Sequence, residues 1–144
     1  MKLLVLNGPN LNLLGTREVN LYGRGSYDDL VRHCRVVAEA LGVEVDVRQS
    51  NHEGVLVDWI QEAKGFYDGI VLNAAAYTHT SVAILDALKA VSLPVVEVHL
   101  TDPMKRENFR KVSYVSMVAE KTFSGMGFES YSAAIRHLAS KEVV

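Results

Sequence analysis

The chain is short of the features that mark several protein classes. It has one cysteine in 144 residues, so no disulfide framework exists. It lacks an excess of one charge: 15 basic and 17 acidic residues leave a net charge of −2, which gives no footprint for nucleic acid or a membrane surface. No apolar run approaches the ~18 residues of a membrane span, and no charged-then-apolar leader precedes Leu3. The expectation is a soluble, cytoplasmic protein. No linker, repeat or low-complexity segment divides the chain, so residues 1–144 are expected to form a single domain. A hydrophobic share of 49% over this length suffices for a full core.

What is present is an alternation of strand and helix patterns. Lys2–Leu6 is a wholly apolar run after its first residue, as in a strand buried on both faces. Ser26-Tyr27-Asp28-Asp29 is a capping box that opens a helix to about Leu41, which Gly42 ends. Its stripe Leu30, Cys34, Val37, Ala38 and Leu41 makes Cys34 a buried core thiol rather than a nucleophile. Val43–Gln49 alternates like a second strand, and Val55, Leu56, Trp59, Ile60 and Ala63 have helical spacing. Ile70–Leu72, closed by Asn73, is a third strand; Ser81–Val91 a third helix; Val95–Leu100 a fourth strand. Tyr114–Val118 reads as a short fifth strand and Ser130 to about Ser140 as a terminal helix, with Tyr131, Ala134, Ile135 and Leu138 on one side. Alternation of this kind means parallel βαβ units, and five strands favour a flavodoxin-like doubly wound α/β sheet of order 2-1-3-4-5.

Parallel sheets bind ligands beyond the carboxyl ends of their strands. Those ends carry Asn7 and Asn10; Asn73, Tyr77, Thr78 and His79; and Glu97, His99 and Thr101. Residues 7–23 form an unusually long connection, polar and turn-rich, whose Leu11, Leu13 and Leu14 argue for order. Glu97 and His99 share one face of a strand, so the carboxylate is placed to orient the ring. Glu97 is also out of place in a buried strand unless it has a partner. Amides, histidines, a tyrosine and arginines together suit proton transfer on a small polar anion.

Other sites fit poorly. A flavin phosphate loop needs free backbone N–H groups after the first strand, and Pro9 removes one. A receiver domain needs acidic residues where Asn7 and Asn73 stand. Gly23-Arg24-Gly25 and Gly125-Met126-Gly127 are not in a dinucleotide-binding frame, and His52-Glu53 lacks a second histidine four residues on. No carboxylate or thiolate cluster backs a metal shared by His52, His79 and His99.

Four blocks give the chain a resemblance to type II 3-dehydroquinate dehydratases over nearly its whole length. They are Leu6–Glu18 with Tyr22-Gly23; Gln49–Gly54; Asn73–Ser81 with Asp86-Ala87-Leu88; and Val95–Thr101 with Arg106-Glu107 and Phe109-Arg110. The resemblance implies a lyase of the shikimate pathway, and so of aromatic amino-acid biosynthesis, that dehydrates 3-dehydroquinate through an enolate without metal or other cofactor. It implies Tyr22 as the base, held as phenolate by Arg17; Asn10 holding a water on the enolate; and His99, oriented by Glu97, as the acid. Asn73, the Leu100 and Thr101 amides and the Thr101 hydroxyl would grip the substrate carboxylate, with His79 and Arg110 on ring hydroxyls. Asp86 would reach the site of a neighbouring subunit in a dodecamer built from trimers.

The chain departs from the family pattern at Ala74-Ala75, where Pro or Gly is common, at Leu85, where Arg is frequent, and at Thr101-Asp102-Pro103. Asp102 is expected to add a negative charge near an anionic substrate. Two rivals to the lyase are a non-catalytic binder of cyclic hydroxy acids and a flavin carrier. A binder has no need of Tyr22 and Arg17 together, and a flavin carrier would purify yellow.

Overall fold

The computed structural model describes residues 1–16 and 25–141. Five strands form one parallel sheet in the order β2-β1-β3-β4-β5: β1 Lys2–Asn7, β2 Glu44–Gln49, β3 Gly69–Asn73, β4 Val95–Val98 and β5 Lys121–Phe123. Among the described residues, four α-helices connect or follow them: α1 Tyr27–Ala40, α2 Glu53–Ala63, α3 Val82–Val91 and α4 Phe128–Ala139. Order and direction agree with the doubly wound expectation.

The pleat explains why β1 and β3 carry unbroken apolar runs, Leu3–Leu6 and Ile70–Leu72. Successive side chains face opposite sides of the sheet. Leu3 and Val5 of β1 and Val71 of β3 join the core under α1 and α4, whereas Leu4, Leu6, Ile70 and Leu72 join the core under α2 and α3. Both faces are covered, so Leu3–Leu6 and Ile70–Leu72 are buried without a break. Cys34 lies in the first core with no exposure, and burial pushes its thiol up to about 12.

Local chemistry sets the helix ends. The Ser26 hydroxyl accepts from the Asp29 amide at 3.1 Å, and the Asp29 carboxylate accepts from the Ser26 amide at 3.0 Å, closing the capping box. Gly42, at φ +70°, takes the left-handed turn that ends α1.

One expectation fails. The fifth strand is not at Tyr114–Val118. Val115–Met117 is a 3₁₀ turn, and the sheet is completed by the polar, largely exposed Lys121-Thr122-Phe123. The apolar character of the first segment has another cause: Val115 is buried beneath α3 while Met117 is exposed, and the Tyr114 amide is tied to Thr78 O at 2.9 Å. β5 is an edge strand, where charge and polarity protect against stray pairing. Leu13 is exposed, while Leu11 and Leu14 enter the core.

The carboxyl ends of β1 and β3 meet closely. The Gly8 amide donates to Asn73 O at 2.8 Å, and a Cβ on Gly8 would sit 2.7 Å from the Ala74 carbonyl carbon. Backbone cannot retreat as a side chain can. Gly8→Ala is therefore expected to lower stability by roughly 1–3 kcal/mol, the usual cost of overpacking. Thermal unfolding checks this; an unchanged melting temperature would show that the two loops are free to separate.

Candidate active site

A pocket of about 120 Å³ opens beyond the ends of β1, β3 and β4. Its polar lining includes Asn10, Asn73, His79, His99, Thr101 and Arg110, all anticipated from the sequence, with Leu100 beside them. Pro9, Leu11, Leu14 and Pro103 contribute apolar wall. Arg106 also lines it, a residue quoted in the resemblance but given no role. The nearby basic Arg110 was the only signal that could have singled it out.

The deepest chemistry lies at the end of β4. The strand stops at Val98, two residues earlier than expected, but the His99 amide still donates to Phe123 O at 3.0 Å. His99 therefore keeps strand geometry and lies on the same face as Glu97. His99 Nε2 lies 2.6 Å from Glu97 Oε2. An ionised carboxylate only accepts, so Nε2 carries the proton, and Nδ1 is what the ring has left for the pocket.

Glu97 itself is 1% exposed and does not line the pocket. Ser113 donates to it at 2.6 Å, Thr122 at 3.1 Å, and Ser116 closes a further short bond. Burial alone would raise this carboxyl; the bonds from His99, Ser113 and Ser116 outweigh it and hold the group at about 2. Glu97 thus touches His99 and not a ligand. Two of its hydroxyl donors come from Ser116, inside the segment Tyr114–Val118 that sequence pattern assigned to a strand, and from Ser113 just before it.

The opposite wall is built from short turns. Ala75–His79 is a 3₁₀ helix whose His79 Nδ1 is 2.6 Å from Val112 O. A carbonyl only accepts, so Nδ1 is protonated and Nε2 is the free nitrogen. Arg110 lines the pocket while its Nε donates to Glu107 at 2.6 Å and its guanidinium lies 5.0 Å from the Phe109 ring. Leu100 and Thr101 follow β4, and among the described residues neither amide has a protein acceptor. Two adjacent free N–H groups are a ready anion site.

Asn10 stands in the left-handed region at φ 71°, with its amide donating to Asn51 Oδ1 at 3.0 Å. Gln49 ties the same turn to Gly8 O, and the Tyr77 hydroxyl donates to Asn51 O. The loop after β1 is thereby braced by the ends of β2 and β3. Ala75, at φ 53°, takes a left-handed conformation unusual for alanine, with its amide held by Asn73 Oδ1 at 3.1 Å.

Asp102 stands between two pocket-lining residues, Thr101 and Pro103, without lining the pocket itself. Its carboxylate caps the Pro103–Lys105 turn by accepting from the Met104 amide at 2.9 Å. Leu85 is buried on α3. Asp86 is exposed on the same helix, outside the pocket of its own chain. Arg17 and Tyr22 lie outside the described residues. Among the described residues, no three His, Cys, Asp or Glu are placed to share a metal ion, and no helix is long and apolar enough to cross a membrane.

A doubly wound parallel sheet with a buried carboxylate–histidine pair at its ligand edge defines an α/β acid–base enzyme. Comparison with known proteins gives the family. The model of dehydroquinase class II matches residues 1–139. A 3-dehydroquinate dehydratase of Phenylobacterium zucineum is 57% identical over 135 residues, covering 94% of this chain and 93% of that protein. A 3-dehydroquinate dehydratase 2 of Pseudomonas aeruginosa is 55% identical over 138 residues, covering 96% and 93%. The solved type II dehydroquinase of Butyrivibrio crossotus superimposes with a TM-score of 0.94 at 46% identity, covering 96% and 97%. The chain belongs to the class II dehydroquinase family.

The Glu97 cluster has a pH signature. The fold holds the carboxyl below its ordinary 4.5, so the native state binds fewer protons than the unfolded chain at acid pH. Its stabilisation is full above about pH 5 and drains away toward about pH 2. Glu97→Gln is expected to be less stable than wild type at pH 7, with the gap narrowing as pH falls through that window. Denaturant titrations from pH 7 to 3 read this; parallel acid profiles would show that another group titrates.

Proposed function

We infer that this pocket dehydrates 3-dehydroquinate to 3-dehydroshikimate in the shikimate pathway. Family membership supports the reaction, and the observation that carries its placement is His99, held at 2.6 Å by the buried Glu97 at the pocket floor. The elimination needs a base at the carbon beside the ketone, a stabiliser for the enolate, and an acid for the departing hydroxyl. We assign these to Tyr22 aided by Arg17, to a water held near Asn10, and to His99. The base gains the carbon-bound proton, the carbon–oxygen bond breaks with its electrons, and His99 supplies the proton that completes a water molecule.

Glu97 acts through His99 and is a positioning residue. The free Leu100 and Thr101 amides, the Thr101 hydroxyl and Asn73 take the carboxylate. His79 and Arg110 take ring hydroxyls. No step requires a metal, Schiff base or other cofactor. The chain acts as one catalytic domain, residues 1–144, in the cytoplasm.

Mixing the protein with 3-dehydroquinate should raise the ultraviolet absorbance of the conjugated product; no change at any concentration would overturn the reading. His99→Ala should lower kcat by roughly 10²–10⁴-fold, the usual loss of acid–base catalysis, and weaken substrate binding much less. A rise in KM alone would make His99 a binding residue. Tyr22→Phe should fall in the same range with an unchanged melting temperature.

The working form is a homo-oligomer, which the resemblance makes a dodecamer of trimers. Asp86 is exposed and outside its own pocket, so its role requires a second subunit. Val82, Met104, Phe109, Val112 and Met117 are exposed apolar side chains on α3 and the turns after β4, suited to contact between copies. Light scattering should give a mass many times the 15.9 kDa of the chain. A fully active monomer would remove Asp86 from the site.

A further inference from the structure

Tyr131 is a fully buried titratable residue with no place in the chemistry above. Sequence pattern makes it one of the core positions of α4. Yet its hydroxyl lies 2.6 Å from Asn7 Oδ1 and 2.8 Å from Asn73 Nδ2. Asn7 and Asn73 are the last residues of β1 and β3 and are register partners. The phenol of a helix thus reaches the floor between two strand ends, and Asn73 lines the pocket.

The directions of these bonds are set by backbone groups at both ends. Asn7 Nδ2 donates to Arg48 O at 3.3 Å, and a carbonyl only accepts. Asn7 must therefore turn Oδ1 toward Tyr131, and the phenol donates to it. The phenol then has only lone pairs left, so Asn73 must present Nδ2. At the other end the Ala75 amide only donates, and it reaches Asn73 Oδ1 at 3.1 Å. Both ends select the same orientation of the Asn73 amide, leaving one N–H of Asn73 for the pocket.

We propose that Tyr131 is a positioning residue for substrate binding: its buried hydroxyl orients the Asn73 amide so that the remaining N–H faces the substrate carboxylate, with Asn7 fixing the hydroxyl in turn. The proposal rests on the reading of the pocket given above. Burial pushes the phenol well above its ordinary range, so the hydroxyl keeps its proton and the relay its direction. Without the hydroxyl, the Ala75 contact alone among the described residues holds the Asn73 amide, and Ala75 sits at φ 53°.

The test compares wild type, Tyr131→Phe, Asn73→Ala and the double variant as assembled full-length proteins. It reads kcat and KM for 3-dehydroquinate and calorimetric affinity for quinate, a non-eliminating cyclic carboxylate. Tyr131→Phe should raise KM and the quinate Kd about tenfold, the size of one hydrogen bond to a charged group, with kcat within about threefold. Tyr131→Phe should add little on top of Asn73→Ala. Wild-type affinity in Tyr131→Phe, or losses that multiply in the double variant, would reduce Tyr131 to packing and overturn the proposal. Should Tyr131→Phe fail to fold, Asn7→Ala decides: it keeps the phenol but removes its acceptor, so the same loss supports the relay and intact affinity refutes it. Wild-type turnover is read separately. Quinate binding without turnover overturns the proposed reaction alone, and wild type that binds no quinate overturns both.

Discussion

A carboxylate buried to 1% exposure at the end of a central strand has to be saturated with donors, or it would give up its charge. Much of the site follows from meeting that demand at Glu97. Three hydroxyls and one imidazole converge on it, from the turn at residues 113–116, from β5 and from the end of β4. Satisfying the charge fixes the His99 ring as a by-product. It also places Ser113 and Ser116 against Glu97 in a turn that is not part of the sheet. The short edge strand β5 is then formed from the next available segment.

The same edge of the sheet shows a second, uncharged solution to buried polarity. Asn7, Tyr131 and Asn73 satisfy one another between the ends of β1 and β3, with backbone groups closing both ends of the chain of bonds. The charged cluster holds an imidazole and the neutral one an amide. Both lie where the parallel strands end and the backbone ladder stops. Polar side chains there take over from the ladder, and a pocket opens between the turns they brace.

Much of this was legible in the residues. Runs such as Leu3–Leu6 and Ile70–Leu72 announce strands covered on both faces, and the Ser26–Asp29 box marks a helix start to within one residue. Glu97 was suspect because its neighbours are apolar, and pleat geometry put His99 beside it. Legibility failed where one residue type serves two ends. Val115 and Met117 alternate as a strand would, but one is buried and the other exposed. Asp102 read only as a charge near the ligand, but its carboxylate also caps a turn by accepting from the Met104 amide. Tyr131 read as core; its ring is core, but its hydroxyl is bonded to Asn73, which lines the pocket.

By itself, then, the sequence determined the first four strands and the helices between them, the burial of the apolar runs in β1 and β3, and the set of polar residues at the strand ends. These follow from local periodicity and from the alternation of βαβ units, which need only near neighbours in the chain. The tertiary structure decided which of those residues meet: Ser113 and Ser116 with Glu97, Tyr131 with Asn7 and Asn73, Val112 with His79. Those contacts span up to 124 positions. Hydrogen-bond direction at that range is set by what each partner has left to offer once the backbone is placed, and no local pattern encodes it.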